Sequence, residues 1–317
     1  MTPPPLLEAR GLTKRFDQFL AVQEVDLAVH PGEVLALLGP NGAGKTTTIR
    51  MLASILRPSA GWAKVAGFDV VQDAVEVRRR VGLLTEHHGL YTRMRAEEYL
   101  VFFGRTYGLD ARDIRRRAGE LLETYGLSEV RTRRLGEYSK GMRQKLALVR
   151  CLLHDPAVLL LDEPTSAMDP ASARQVRAGI QALRSDDRSV IVCTHNLAEA
   201  ELLADQIAII WRGRIRACDT PARLKQAFLG DPAQELRLAV PLPEDLRFLP
   251  PGARLVARGL DMIRYTTQNP VETNPALLRR LADAGIPVLS LSDVGRTLEE
   301  VYLRVVDEAA EEERRAA

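Results

Sequence analysis

Three glycines and a lysine lie between Gly39 and Thr47, directly after the apolar run 34–38. Glycine lets the backbone fold tightly enough for several N–H groups to converge, and converging N–H groups bind phosphate oxygens. The order of residues matches the pattern GxxxxGK[ST], in which the lysine reaches the outer phosphates of a nucleotide and the hydroxyl holds Mg²⁺. We therefore predict one loop that binds nucleotide phosphates and Mg²⁺. Its residues are Gly39, Pro40, Asn41, Gly42, Ala43, Gly44, Lys45, Thr46 and Thr47.

A second motif is the apolar run 158–161, which ends in two acids, Asp162 and Glu163. The run predicts a buried strand, and a phosphoryl-transfer site needs a second acid in the Mg²⁺ shell. We assign that metal-binding role to Asp162, and to Glu163 the role of polarising the attacking water. Alone, the pattern also fits an ordinary strand that ends at solvated acids. Together with the phosphate loop it predicts a catalytic site.

The elements that must position these residues alternate between strand and helix, which predicts an α/β fold of the P-loop NTPase type. The stretch from about residue 91 to 153 is helical throughout, so we predict a helical subdomain of about 87–153 inserted into a nucleotide-binding domain of 6–230. Strands are predicted at 6–16, 25–29, 34–38, 158–161, 190–193, 207–211 and 215–218, and helices at 46–56, 171–183 and 197–204.

A composition shift near 228–232 predicts a second, small α+β domain over 231–306. Strands at 235–239, 254–257, 262–266 and 288–291 accompany helices at 275–284 and 298–306. The charged, alanine-rich segment 307–317 is expected to fray.

The composition excludes several classes of protein. The formal net charge is +2, whereas nucleic-acid binding usually needs a concentrated basic face, so no nucleic-acid partner is expected. The longest apolar runs are far shorter than the roughly 18 to 20 residues that a membrane helix requires. Three widely spaced cysteines and five histidines show no metal-ligand spacing, which favours a reducing cytosol.

Over about residues 6–230 the chain resembles the ATP-binding subunits of ABC transporters. The decisive stretch is 138–145, just before the acid strand, because it resembles the ABC signature Leu-Ser-Gly-Gly-Gln. Ser139 and Gly141 match that signature. Lys140 replaces its first glycine and Met142 its glutamine, a variation that resembles the ATPases of drug- and sodium-extrusion systems. The unit after residue 230 resembles, more weakly, the extra domain of drug-exporter ATPases and is expected to brace a dimer or to regulate.

The resemblance assigns further residues to nucleotide binding. Asp169 lies in a segment similar to the D-loop, His195 resembles the switch histidine, and Phe16 lies where the family places an aromatic ring against adenine. Glu86 aligns with the glutamine of the Q-loop. A carboxylate can still bind Mg²⁺ or water, but it cannot donate an amide N–H. His87 and His88 are interpreted as solvated loop residues.

The resemblance also implies a mechanism. Two such subunits, a homodimer by default, hold two ATP molecules between them, and Ser139, Gly141 and Met142 of each meet the γ-phosphate bound by the other. Opening and closing of the dimer would move a separately encoded integral membrane permease through residues 86–100, with Tyr91, Met94 and Tyr99 as candidate contacts. The implied activity is ATP hydrolysis with Mg²⁺ at the cytoplasmic face of the membrane, and the implied role is export of drugs, ions or lipids.

Two alternatives remain at this stage. One is a soluble ABC-type ATPase that acts on nucleic acid or in translation, although such proteins usually carry two nucleotide domains or a long coiled coil, and this chain has neither. The other is a metabolic phosphotransferase on the same P-loop core. A phosphotransferase would have no use for a signature helix that acts across a dimer, so residues 139–142 argue against it.

Overall fold

The computed structural model describes residues 3–85, 89–166, 168–184, 187–243, 245 and 248–316. It divides into two compact units, Met1–Pro221 together with Glu308–Ala317, and Ala222–Asp307. In the first unit the strands are β1 (Leu7–Phe16), β2 (Phe19–Val29), β3 (Val34–Leu38), β4 (Ala60–Val65), β5 (Phe68–Asp69), β6 (Val81–Leu84), β7 (Val158–Asp162), β8 (Ser189–Thr194), β9 (Gln206–Trp211) and β10 (Arg214–Asp219). Its helices are α1 (Lys45–Leu52), α2 (Ala74–Arg80), α3 (Ala96–Thr106), α4 (Ala111–Thr124), α5 (Lys140–Leu152), α6 (Pro170–Ala182) and α7 (Leu197–Leu203).

The central sheet of the first unit has the strand order β10-β9-β3-β8-β7-β6 and is parallel except for β10. Every residue of β3, β7 and β8 is buried, as expected for parallel strands covered on both faces. These three strands are neighbours, so their carboxyl ends meet at one edge. That edge carries the phosphate loop, Asp162 and Thr194, and it therefore brings the predicted motifs together.

A second sheet, with the order β2-β1-β4-β5, is antiparallel. Its first two strands form a hairpin in which Phe16 lies directly opposite Phe19. Strands β4 and β5 and helix α2 belong to a stretch for which the sequence analysis predicted no elements.

The inserted helical segment consists of α3, α4 and α5 between β6 and β7. Asp110 precedes helix α4, and its side chain caps the N–H groups of the first turn. The helix buries Ile114, Ala118 and Leu122. It ends just before Gly126, which has a φ of 66°. This apolar stripe and this glycine are the features that predicted the helix.

The second unit is an antiparallel sheet with one helix packed on it. The sheet order is β12-β13-β11-β14, and Tyr265, Leu277 and Leu281 are buried in the small core beneath α9. Burial raises the pKa of Tyr265 to about 12, and its hydroxyl donates a 2.6 Å hydrogen bond to Asn274. The elements are α8 (Pro221–Leu229), β11 (Ala233–Leu238), β12 (Ala253–Arg258), β13 (Met262–Thr267), α9 (Pro270–Asp283), β14 (Val288–Asp293) and the start of α10 (Leu298–Ala316).

The two ends of this unit differ from the sequence-based expectation. The division falls at Pro221, because α8 groups with the later residues rather than with the ATP-binding domain. Helix α10 continues through the segment that was expected to fray, and Arg216 forms 3.2 Å ion pairs with Glu312 and Glu313 there. No helix in the described part of the chain is both long enough and apolar enough to cross a bilayer.

Candidate nucleotide site

The phosphate loop joins β3 to α1 and packs tightly against its surroundings. Gly44 has a φ of 106°, and a Cβ atom added there would lie 2.7 Å from the carbonyl oxygen of Ala21. Lys45 is 6% exposed, and its Nζ donates to the carbonyl oxygens of Gly39 at 2.6 Å and Pro40 at 3.1 Å. The ammonium group is thus folded back along the loop. A bound phosphate group can replace these two carbonyls as the hydrogen-bond partner of the ammonium.

Gly44→Ala is expected to lower the free energy of unfolding by about 1 to 3 kcal/mol, because alanine is strained at this φ and overlaps the Ala21 carbonyl. Urea denaturation measures the change. The matched control is Gly119→Ala in α4, where an added Cβ meets nothing within 4 Å and helix propensity predicts a gain of about 1 kcal/mol. Equal stability of the two variants would contradict the described loop packing.

The acid pair stands opposite the loop. Thr46 donates a 2.7 Å hydrogen bond from Oγ1 to Asp162 Oδ2. Glu163 has a φ of 51°, a strained value for a residue other than glycine, and it turns the chain out of β7. His195 donates from Nδ1 to Glu163 Oε1 at 2.8 Å, and Lys45 Nζ lies 3.9 Å from the same oxygen. One carboxylate oxygen therefore touches both a cation and an imidazole.

The loop and the acids enclose a pocket of ≈ 320 Å³. The hydroxyl of Thr46 and the carboxylate of Asp162 supply the hard oxygen ligands that Mg²⁺ prefers, so the donor set fits this ion. The wall of the pocket is formed by Phe19, Ala21, Pro40, Asn41, Gly42, Gly44, Lys45, Thr46, Thr47, Asp162 and Glu163.

Four other predicted site residues lie at helix N-termini and not in the wall of this pocket. Ser139 caps α5 and accepts a 3.2 Å hydrogen bond from Met142 N–H. Asp169 caps α6, and the backbone N–H of Ser172 holds the pKa of this carboxyl below its ordinary value. A Cβ on Gly141 would lie 4.0 Å from Ser172 Oγ, so the starts of the two helices are close together.

The four residues predicted to contact the nucleotide or the permease have different outcomes. Phe16 is 44% exposed and outside the pocket wall, whereas the facing Phe19 lines it. Tyr99 is fully buried, burial raises its pKa, and Arg150 donates to its hydroxyl, so it offers no surface to a partner. Met94 is partly buried and packs against the core, while Tyr91 is half exposed. Glu86, His87 and His88 lie outside the described residues.

Three further residues contact this site, and no sequence pattern indicated them. Phe19 reaches the pocket through the hairpin pairing that places it opposite Phe16, and this register has no local signal. Gln144 donates from Nε2 to the carbonyl oxygens of Glu163 at 3.2 Å and Pro164 at 3.0 Å. Glu199 lies three residues after the helix cap Asn196. This spacing predicts a local capping box, whereas the side chain of Glu199 contacts Thr165 and Thr194.

Comparison with known proteins agrees with this geometry. A family model described as ABC transporter matches residues 22–166. The ABC transporter ATP-binding protein NatA of Bacillus subtilis (strain 168) is 43% identical over 62% of this chain and 80% of its own. The daunorubicin/doxorubicin resistance ATP-binding protein DrrA of Streptomyces peucetius is 36% identical over 98% of both chains. A solved structure described as the ATP-binding subunit of an ABC transporter superposes with a TM-score of 0.67 at 29% identity, covering 71% of this chain and 94% of that one.

The fold and the site define an ATP-binding protein of the P-loop class. The chain belongs to the ABC transporter ATP-binding proteins, because relatives more than 30% identical are covered over most of their length. The predicted family and α/β fold are thereby confirmed. The match to DrrA covers 98% of this chain and therefore includes the second unit. The match to the solved structure covers 71% of this chain, which is close to the length of the first unit.

Proposed function

We propose that this protein hydrolyses ATP at the pocket of the first unit and uses the cycle to drive a separately encoded membrane permease. The observation that carries the proposal is the meeting of Lys45, Thr46, Asp162, Glu163 and His195 at one sheet edge, joined by contacts of 2.7 to 3.9 Å. This set contains a phosphate cradle, a metal-binding pair and a carboxylate beside an imidazole, which are the parts that phosphoryl transfer to water requires.

In this proposal the phosphate loop and Lys45 bind the β- and γ-phosphates, assisted by the N-terminus of α1. Thr46 and Asp162 would hold Mg²⁺, which supplies charge neutralisation at the phosphate oxygens when bound. Glu163 accepts a proton from the attacking water and orients it. His195, hydrogen-bonded to Glu163, fixes the direction of that carboxylate.

Two copies would be needed for full activity. Ser139 and Lys140 are exposed at the start of α5, next to Asp169 at the start of α6. Paired helix N-termini with a lysine beside them favour binding of a negatively charged group. We propose that Ser139, Gly141 and Met142 of one copy reach the γ-phosphate in the other copy, as the resemblance implied, and that Asp169 lies at the same junction.

The permease would dock in a cleft of ≈ 410 Å³ between α2 and α3 of the first unit. Its wall is mainly apolar and includes Ile55, Val75 and Phe103, and Arg78 and Arg79 also line it. Such a cleft suits a short segment with an apolar face and an acidic residue. Docking would hold the protein at the cytoplasmic face of the membrane.

Export of a drug-like compound is the role that the relatives support best. The S. peucetius relative carries daunorubicin/doxorubicin resistance in its name and matches this chain almost end to end, the second unit included. We propose a dimer-bracing or regulatory role for that unit.

Phe19→Ala is expected to weaken ATP binding by about 1 to 3 kcal/mol, because an aromatic ring in the pocket wall stacks against the base. Phe16→Ala should have a smaller effect, since Phe16 lies outside the wall and its ring faces Lys14 Nζ at 5.1 Å. Titration with a fluorescent ATP analogue measures both. Phe102→Ala, at an exposed ring of α3, is the control. A larger loss for Phe16→Ala would instead make Phe16 the adenine platform.

The proposed function is tested by purifying tagged Glu163→Gln protein from detergent-solubilised native membranes with MgATP and identifying what accompanies it. A multispanning membrane protein is the expected partner. The matched control adds Arg79→Glu, which reverses a charge in the wall of the docking cleft and should release that partner. Recovery of soluble proteins, ribosomes or nucleic acid alone would overturn the transporter role and favour a soluble ATPase.

A further inference from the structure

Glu199 is a carboxylate buried beneath the nucleotide site, with 3% of its surface exposed. Both of its oxygens accept hydrogen bonds from threonine hydroxyls. Thr165 donates to Oε1 at 2.5 Å, and Thr194 donates to Oε2 at 2.8 Å. The carboxylate thus forms a bridge between two chain segments.

These two segments carry the reacting groups. Thr165 follows Glu163 by two residues, and Thr194 directly precedes His195. The Glu163 carboxylate and the His195 ring, which are carried by the same two segments, meet at 2.8 Å. The contacts therefore close a ring in which Glu199 sets the spacing of the two segments. A backbone hydrogen bond of 2.9 Å from Glu163 N–H to the Cys193 carbonyl braces the same pair.

Packing alone does not account for a charged group at this position. Burying a carboxylate carries a desolvation cost that an apolar side chain of similar size avoids. Thr194 Oγ1 also accepts from Asn196 N–H at 3.0 Å, so its one hydroxyl proton is directed toward Glu199. The arrangement gives a fixed orientation to Thr194 and to the start of the His195 segment.

We propose that Glu199 is a positioning residue for ATP hydrolysis, which holds Glu163 and His195 in register through Thr165 and Thr194. The inference rests on the proposed function and adds to it a residue outside the pocket wall that acts through two threonines.

The test is Glu199→Gln in the full-length protein. A glutamine side chain has one acceptor oxygen and cannot accept from both hydroxyls, while its size is unchanged. We expect kcat to fall between about 10-fold and 100-fold, as small misplacement of reacting groups does, with ATP affinity and the thermal midpoint close to wild type. Glu201→Gln, at an exposed position of the same helix, is the matched control and should leave kcat unchanged.

Thr194→Val provides a second route to the same result, because it removes the hydroxyl and keeps the shape. It should lower kcat to a similar degree or somewhat more, because the valine also loses the hydrogen bond from Asn196 N–H. The double variant with Glu199→Gln should be close to the more impaired single variant, since both changes act on the same bridge. Unchanged kcat in Glu199→Gln would overturn the proposal. A parallel loss of kcat, ATP affinity and thermal midpoint would also overturn it, in favour of a purely structural role.

A measurement without turnover separates this proposal from the proposed function. Nitrogen chemical shifts of labelled imidazoles give the tautomer of His195, assigned with a His195→Gln spectrum. We expect a proton held on Nδ1 in the wild type and a mixture of tautomers in Glu199→Gln and Thr194→Val. An unchanged tautomer in both variants would overturn the positioning role, even if the protein released no phosphate. Absence of phosphate release by the wild type would instead refute the proposed function.

Discussion

Replacing Glu163 with glutamine is expected to stop ATP hydrolysis while ATP binding is retained. Glu163 lines the pocket, and its Oε1 touches both His195 and Lys45. The amide keeps the size of the side chain but cannot take a proton from water, and loss of a general base typically costs about 10²- to 10⁴-fold in rate. ADP release measures turnover, and equilibrium titration measures ATP binding.

The control for this variant is Glu123→Gln, which changes an exposed carboxylate of α4 outside the pocket. It should be indistinguishable from the wild type in both measurements. Wild-type turnover in Glu163→Gln would show that another group activates the water, and a matching loss of ATP binding would show that Glu163 supports the pocket rather than the chemistry.

Lys45→Ala is expected to weaken ATP binding and to reduce turnover by about 10²- to 10³-fold, the usual effect of losing one preorganised donor to developing charge. The substitution also leaves the Gly39 and Pro40 carbonyls without this donor. Because lysine in this motif reaches the β- and γ-phosphates, AMP affinity should change far less than ATP affinity.

Competition against a fluorescent nucleotide gives both affinities for Lys45→Ala. Lys64→Ala, at an exposed lysine of β4, is the control for general charge effects and should bind both nucleotides normally. Equal losses of ATP and AMP affinity would contradict the assigned phosphate contact and indicate a collapsed pocket.

The catalytic edge of the fold could be predicted from sequence because its signals are local. The runs before Gly39 and Asp162 are fully buried parallel strands, and such strands have a strong apolar signature. The glycines of the loop identify the turn that follows. Because the carboxyl ends of parallel strands share one edge of the sheet, Lys45, Asp162 and Glu163 can then be predicted to lie close together.

Other contacts depend on register and could not be predicted in this way. The pocket position of Phe19 follows from a hairpin pairing, since a shift of one residue would reverse the face of its ring. The contacts of Glu199 could not be predicted for a similar reason, because its partners Thr165 and Thr194 lie at the ends of two separate strands. Strand β5 has two residues, and the exposed residues at the start of β4 weaken its pattern.

The C-terminal segment illustrates the competition between composition and tertiary contacts. Many charges over 307–317 suggested a frayed tail, yet alanine and glutamate are good helix formers and α10 extends through it. Ion pairs with Arg216 accompany that extension. The Arg216 side chain is 18% exposed, so helix propensity and these tertiary contacts both favour the extension.

Hydrolysis in water enriched in heavy oxygen shows whether this pocket directs water at the γ-phosphate of ATP. We expect that the released phosphate carries solvent oxygen, that ADP carries none, and that Glu163→Gln suppresses both products together. Transfer of the phosphoryl group to a small-molecule acceptor, or phosphate free of solvent oxygen, would refute this role of the pocket and restore the phosphotransferase alternative.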